Sequence, residues 1–308
     1  MLAFVFPGQG SQAMGMLSEY ADEVVVRDCF DRASAAIDVD LWALSQQGPE
    51  ADLNATTNTQ PALLAASVAL WRLWQQKGGA QPSVLAGHSL GEYSALVAAG
   101  VLSLEAAAKL VRLRGSAMQQ AVPAGVGAMA VVLNAEEDLI NEVCAQVARD
   151  EVVSAANLNS AGQIVIAGHA TAVERAREEL NARGVKRVMP LPVSVPSHCA
   201  LMKPAAERLA EALAEVELAV PAIPVLHNVD AQTHESADEI RRALVEQLYR
   251  PVRWVDCMNE MSARGVDRVA ECGPGKVLLG LCKRGMNAAQ GFALGTADQM
   301  QAAQEQWT

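Results

Sequence analysis

Residues 84 to 93 read Val84-Leu85-Ala86-Gly87-His88-Ser89-Leu90-Gly91-Glu92-Tyr93: a short apolar run, a Gly-x-Ser-x-Gly turn, then a stretch rich in Ala and Leu. A strand that passes directly into a helix through so sharp a turn restricts the fold more than any other feature of the chain. The glycines at 87 and 91 remove side chains that would collide where the two elements meet. Ser89 is left with its hydroxyl exposed at a helix N-terminus, where unpaired N–H groups and the positive end of the dipole favour a developing oxyanion. An ordinary glycine-rich turn uses the same residue types, but needs neither the strand before nor the helix after.

The rest of the sequence repeats this alternation. Apolar runs at 2 to 6, 83 to 87, 223 to 227 and 267 to 271 have the length of buried strands. Helical spacing of Ala and Leu occupies 60 to 76, 91 to 99, 103 to 121 and 202 to 215. Lys77-Gly78-Gly79 and Gly273-Pro274-Gly275 punctuate the pattern. The order predicts an α/β fold with a parallel sheet, α/β-hydrolase-like in its strand–nucleophile–helix turn.

Between 123 and 192 the rhythm changes: apolar runs at 127 to 133, 152 to 158, 163 to 167 and 187 to 191 frame helical patterns at 135 to 149 and 170 to 183. That βαββαβ order predicts a small ferredoxin-like domain over 123–192, with Asn159-Ser160-Ala161-Gly162 turning its central hairpin. It is expected to be an insertion in a large catalytic domain formed by 1–122 and 193–308, reached through a proline-rich return at Pro190 to Pro196. With 308 residues, 51% of them hydrophobic but only 4% aromatic, the chain can bury a sizeable core built mainly from Ala, Val and Leu.

A net charge of -11 argues against a general nucleic-acid binder. The cysteines at 29, 144, 199, 257, 272 and 282 form no Cys-x-x-Cys pair and no metal-ligand spacing, and read as buried free thiols. The N-terminus lacks the basic lead and long apolar run of a signal peptide, and no stretch approaches membrane-spanning length. A cytoplasmic location without a metal is the expectation.

A nucleophilic serine needs a base and an oxyanion site. Phe6-Pro7-Gly8-Gln9-Gly10-Ser11-Gln12 follows the first strand and would lie at the same sheet edge as Ser89, where a backbone N–H can serve as a second oxyanion donor. Of the histidines at 88, 169, 198, 227 and 234, His198 stands out, in a constrained Pro196-Ser197-His198 loop directly before a helix. A lone histidine in such a loop is more often structural than catalytic, and it is the elbow that favours the base; His88 is read as structural. No Asp or Glu occupies an evident third position, so the pair reads as a Ser–His dyad.

Arg114 lies in the middle of the apolar face formed by Ala107, Leu110, Val111, Ala117, Met118 and Ala121, whereas Lys109 and Arg112 point away from it. A buried guanidinium requires either an internal carboxylate or a polar cavity. In the second case the substrate carries a carboxylate, which the arginine fork would hold bidentately. Helix geometry leaves both readings open.

With Phe6 to Gln12, Thr59-Gln60-Pro61-Ala62, Gly87 to Glu92, Arg114, Pro196-Ser197-His198 and Gly273-Pro274-Gly275 in this order and spacing, residues 2 to about 285 resemble bacterial malonyl-CoA:acyl carrier protein transacylases, of the acyltransferase family of fatty-acid and polyketide synthesis. The resemblance implies Ser89 as nucleophile, His198 as general base and acid, the N–H groups of Gln9 and Leu90 as oxyanion hole, and Arg114 as clamp for a malonyl carboxylate. It further implies that the Gln247 carbonyl orients the histidine, with Gln60 and Asn157 in support. No cofactor is implied beyond coenzyme A as substrate and the phosphopantetheine of the carrier-protein partner. Lys186, Arg187, Lys283 and Arg284 are the basic candidates for docking that acidic partner. A serine hydrolase and a non-catalytic scaffold are the rival readings; the tail after 285 carries no recognisable chemistry.

Overall fold

The computed structural model describes residues 1–193, 195–286 and 289–307; Ser194, within the proline-rich return, lies outside them. The strands are β1 Leu2–Phe6, β2 Val84–Gly87, β3 Gly127–Leu133, β4 Val153–Ser160, β5 Gln163–His169, β6 Arg187–Pro190, β7 Val225–Leu226, β8 Arg268–Glu271 and β9 Gln290–Ala293.

β1 and β2 are buried along their whole length because helices cover both faces of their sheet. Alternate side chains enter different cores. Phe4, Phe6 and Leu85 join the helices Val24–Ile37, Thr56–Gln76, Leu104–Ala121 and Lys203–Ala214 on one side. Ala3, Val5, Val84 and Ala86 meet Trp254–Ala263 and Val277–Gly285 on the other. The sheet runs β7-β2-β1-β8-β9 with every neighbouring pair parallel, which brings the ends of β1 and β2 side by side. The few aromatic residues are concentrated: Trp71 and Trp74 lie 5.3 and 5.5 Å from Phe4.

The second sheet, β4-β5-β3-β6, is antiparallel throughout and has the ferredoxin-like order expected from the sequence. Helices Glu137–Ala148 and Ala170–Ala182 cover one face. By the two-residue period of strands, the other face carries Met129, Ala156, Val165 and Ala167, which pack with Cys199 of the large part. A backbone seam joins the two parts as well: Leu158 donates to the Val252 carbonyl at 2.8 Å and Val252 to that of Ala156 at 2.9 Å.

Several boundaries differ from expectation. The hairpin turn is only Ala161-Gly162, because β4 continues through Ser160 and Gly162 takes the positive φ of 70° that the tight reversal requires. The run at 223 to 227 narrows to two strand residues; Pro224 has no N–H to give and only its carbonyl is used, by Leu85 at 2.8 Å. The helix expected at 60 begins at Thr56 and carries Pro61 inside it. The stretch after 285 supplies β9 and the helix Ala297–Trp307, whose Trp307 closes on Phe292 and Trp74 at 4.8 and 5.2 Å. Among the described residues no helix is long and apolar enough to cross a membrane.

Candidate active site

At the turn after β2 the backbones nearly touch. A Cβ on Gly87 would lie 1.9 Å from the Gly91 carbonyl carbon, and one on Gly91 would lie 1.9 Å from the Phe6 oxygen. Ser89 adopts a φ of 52°, a left-handed conformation that costs an L-residue about 1–2 kcal/mol. Both of its peptide groups are captured: its N–H donates to Asn228 Oδ1 at 2.7 Å, and its carbonyl accepts from Gln247 Nε2 at 3.0 Å.

His198 approaches from the loop ahead of the helix Lys203–Ala214. It also has a left-handed φ, 61°, and its N–H donates to the Leu248 carbonyl at 3.0 Å. Its Nδ1 lies 2.7 Å from the Gln247 carbonyl. A carbonyl can only accept, so Nδ1 carries the proton and Nε2 turns its lone pair to Ser89 Oγ, 2.8 Å away. Gln247 ends the helix Ala237–Gln247, where carbonyls have no partner within the helix, and this explains how a peptide group comes to be free to hold the imidazole. Burial, reinforced by the Arg114 charge, depresses the His198 pKa to about 3. The residue is therefore a neutral hydrogen-bond acceptor toward Ser89.

Arg114 is 1% exposed in the face predicted for it. Gly115 lets its helix approach Thr56–Gln76 closely, since a Cβ there would stand 2.7 Å from the Thr56 oxygen. The guanidinium donates to Gln60 Oε1 at 2.9 Å, Ser89 Oγ at 3.0 Å and Gln247 Oε1 at 3.0 Å. All three acceptors are neutral, and Nε is buried without a partner. Among the described residues no carboxylate touches the guanidinium, so the internal salt-bridge alternative does not hold. The Tyr93 ring lies 5.7 Å from it. Arg112, expected in solvent, is half-buried.

Gln9, Ser89, Leu90, Arg114, Asn157 and His198 line one pocket of about 320 Å³. Its walls come from both sheets: Asn157 sits on β4 where the pairing register shifts after Ala155. The backbone N–H groups of Gln9 and Leu90 donate to no other described group. Gln60 does not line the pocket and stands behind two residues that do, Arg114 and Met118. His88 also lines the pocket, but its ring bonds to Asn159 at 2.8 Å and lies 5.5 Å from Trp254, and no hydrogen bond joins it to Ser89 Oγ among the described residues. A larger groove of about 780 Å³, between Leu104–Ala121 and the end of Lys203–Ala214, contains no nucleophile–base pair.

Two of the basic candidates, Arg187 and Arg284, are brought near one another by the small sheet. Arg187 on β6 pairs with Leu133, Leu133 pairs with Gln163, and Arg284 donates to Gln163 Oε1 at 2.9 Å. Two strand spacings, roughly 10 Å, therefore separate Arg187 from the Gln163 contact.

Sequence reading missed three groups of the site: the Gln247 side chain, Asn228 and Glu92. The first had a signal, because Gln247 follows Ile240, Ala243 and Leu244 on a buried helical face, a polar residue in an apolar stripe like Arg114.

A buried neutral histidine bonded to the serine of a nucleophile elbow, with a buried cation alongside, defines a serine acyltransferase or hydrolase. Residues 3–305 match the family model of the acyl transferase domain, and the chain belongs to that family. It is 54% identical over 304 residues to the malonyl CoA-acyl carrier protein transacylase of Escherichia coli K12, across 98% of each chain. The crystal structure of the malonyl-CoA:acyl carrier protein transacylase of Xanthomonas oryzae is 56% identical, with a TM-score of 0.98 over 100% of this chain and 98% of that one. A structure of a type II PKS acyl-carrier protein in complex with its malonyl-transacylase is 53% identical, with a TM-score of 0.97 over 99% of each chain.

The depressed His198 pKa links stability to pH. An unfolded imidazole takes up its proton near pH 6.5, and the folded one only near 3. Between these values the unfolded chain binds the extra proton, so stability falls as the pH drops through that window, by up to about 1.4 kcal/mol per pH unit. Urea unfolding of His198→Asn between about pH 4 and 6 should show a pH slope shallower than the parent by about 1 kcal/mol per unit. An unchanged slope would mean that the folded histidine titrates normally.

Proposed function

We infer that the chain transfers a malonyl group from malonyl-CoA to the phosphopantetheine thiol of acyl carrier protein, through an ester on Ser89, in fatty-acid biosynthesis. The observation that carries this reading is Arg114: a buried cation without a carboxylate, 3.0 Å from the nucleophilic oxygen. Such a group is matched to an acyl chain that brings its own negative end.

His198 Nε2 takes the hydroxyl proton as Ser89 Oγ attacks the thioester carbonyl. The tetrahedral oxyanion lies against the N–H groups of Gln9 and Leu90. Collapse expels the coenzyme A sulfur, which receives the proton from His198, and malonyl-Ser89 remains. The carrier-protein thiol then gives its proton to His198 and attacks the ester, and Ser89 Oγ leaves with that proton. Arg114, 3.0 Å from Ser89 Oγ, offers its fork to the malonyl carboxylate. Gln60 and Gln247 hold the guanidinium from behind, and Asn157 closes the pocket from the small sheet. The two half-reactions share one site, so the kinetics are ping-pong. Exchange between oxygen and sulfur esters changes no oxidation state and requires no metal or redox cofactor.

We further propose that residues 123–192 form a unit inserted between 1–122 and 193–308, in keeping with β3 to β6 having a core of their own. Six unpaired, buried cysteines suit a reducing cytoplasm. The exposed Lys186, Arg187, Lys283 and Arg284 give an acidic carrier protein a local basic edge on a chain whose net charge is -11.

Intact mass after mixing with malonyl-CoA should show one malonyl adduct, absent in Ser89→Ala; an adduct that persists would move the nucleophile elsewhere. Release of free malonate faster than transfer to a thiol would make the enzyme a hydrolase. Arg114→Ala should lower malonyl transfer by about one to two powers of ten, as expected for a lost charge-assisted pair, while acetyl-CoA is used as well as before. Arg114→Lys should recover only part, since an ammonium cannot form the two-bond fork. Reversing Lys283 and Arg284 to Glu should raise the KM for carrier protein in a salt-dependent way and leave acylation by malonyl-CoA alone. Unchanged use of carrier protein would place docking elsewhere.

A further inference from the structure

We propose that Glu92 is a positioning residue for this transfer: its buried carboxylate fixes which end of the Gln247 side-chain amide faces Arg114, and thereby sets the malonyl clamp. The proposal rests on the malonyl reading of the site. Glu92 is the second residue of the helix Gly91–Ala98, fully buried, and it contacts no lysine or arginine among the described residues. Its oxygens accept three hydrogen bonds, Oε1 from His227 Nδ1 at 2.7 Å, and Oε2 from Asn228 N at 3.0 Å and Gln247 Nε2 at 2.7 Å.

The two ends of a glutamine amide have the same shape and opposite hydrogen-bonding character. At Gln247 the nitrogen end faces acceptors only: Glu92 Oε2, the Ser89 carbonyl at 3.0 Å and Asn228 Oδ1 at 3.4 Å. The oxygen end faces Arg114 Nη2 at 3.0 Å. Turned over, the amide would set an oxygen against three oxygens and present N–H groups to a guanidinium that has no acceptor. Glu92 is the one charged group among those acceptors and makes the shortest bond. Its contact with the Asn228 N–H also orients the residue whose Oδ1 holds the Ser89 N–H at 2.7 Å and whose Nδ2 donates to the Gly87 carbonyl at 2.7 Å. Neither Glu92, Asn228 nor Gln247 lines the pocket, so their side chains act through Ser89 and Arg114.

The test compares Glu92→Asp with Glu92→Gln by the ratio of malonyl to acetyl acylation of Ser89, read by quenched intact mass, with melting curves to establish that each variant is folded. Glutamine keeps the length and one oxygen for Gln247 and Asn228. His227 can then accept at Nδ1 by moving its proton to Nε2, which has no partner among the described residues. Aspartate keeps the charge but is shorter by about 1.5 Å and cannot reach all three donors. The ratio should fall about tenfold in Glu92→Asp and less than about threefold in Glu92→Gln. In a Gln247→Ala background, Glu92→Asp should cause no further fall, because both act along one path. An unmoved ratio in folded Glu92→Asp, a larger fall in Glu92→Gln than in Glu92→Asp, or additive effects in the double variant would overturn the positioning role. Absence of any malonyl preference in the parent enzyme, or its survival in Arg114→Ala, would overturn the malonyl reading itself and the proposal with it.

Discussion

A guanidinium that is almost wholly buried and touches no carboxylate among the described residues sets the terms for the groups around it. Because arginine cannot shed its proton, its surroundings must supply oxygens, and Gln60, Ser89 and Gln247 each do. The same charge helps keep His198 neutral and ready to accept. The compensating anion, Glu92, stands one amide away, close enough to steady the network and too far to fill the clamp.

Much of this arrangement was legible in the sequence, for identifiable reasons. The elbow at Gly87 to Gly91 is local: its glycines are demanded by close backbone approaches that no other residue type permits. Arg114 was legible because one charge in an apolar stripe is a conflict that a single helix displays without its neighbours. The small sheet could be read from strand and helix order alone, since its connections are short. The chemistry of Asn228 and Glu92 was not legible, because their roles arise only when the loop after β7 meets the end of the helix Ala237–Gln247, more than 130 residues from the elbow. β7 has two strand residues and carries no usable pattern. The final strand and helix escaped for another reason: β9 is only four residues long, and the helix buries a narrow stripe, Met300 and Ala303 beside half-buried Trp307, amid polar residues.

The small sheet is part of the site rather than an appendage to it. Its helix-free face packs beside Cys199, the neighbour of His198, and its β4 edge is hydrogen-bonded to Val252. Both contacts lie within a few residues of the groups that fix the imidazole. A shift of the sheet would therefore move the pocket wall at Asn157 and load the histidine loop together, which couples pocket width to the geometry of the base.

The choice of a helix-end carbonyl as the partner of His198 Nδ1 limits the acyl donors that such a site can process. A carboxylate in that place would add a resident negative charge and raise the basicity of the imidazole; a peptide oxygen carries only the partial charge of a helix terminus. The resulting imidazolium is a short-lived, strong acid that hands its proton back readily. Thiols, with ordinary pKa values near 8.5, depart as thiolates with little assistance, whereas amines leave only when firmly protonated at the right moment. The site is thus fitted to exchange between thioesters and the serine ester, where a weak base that returns its proton at once is enough.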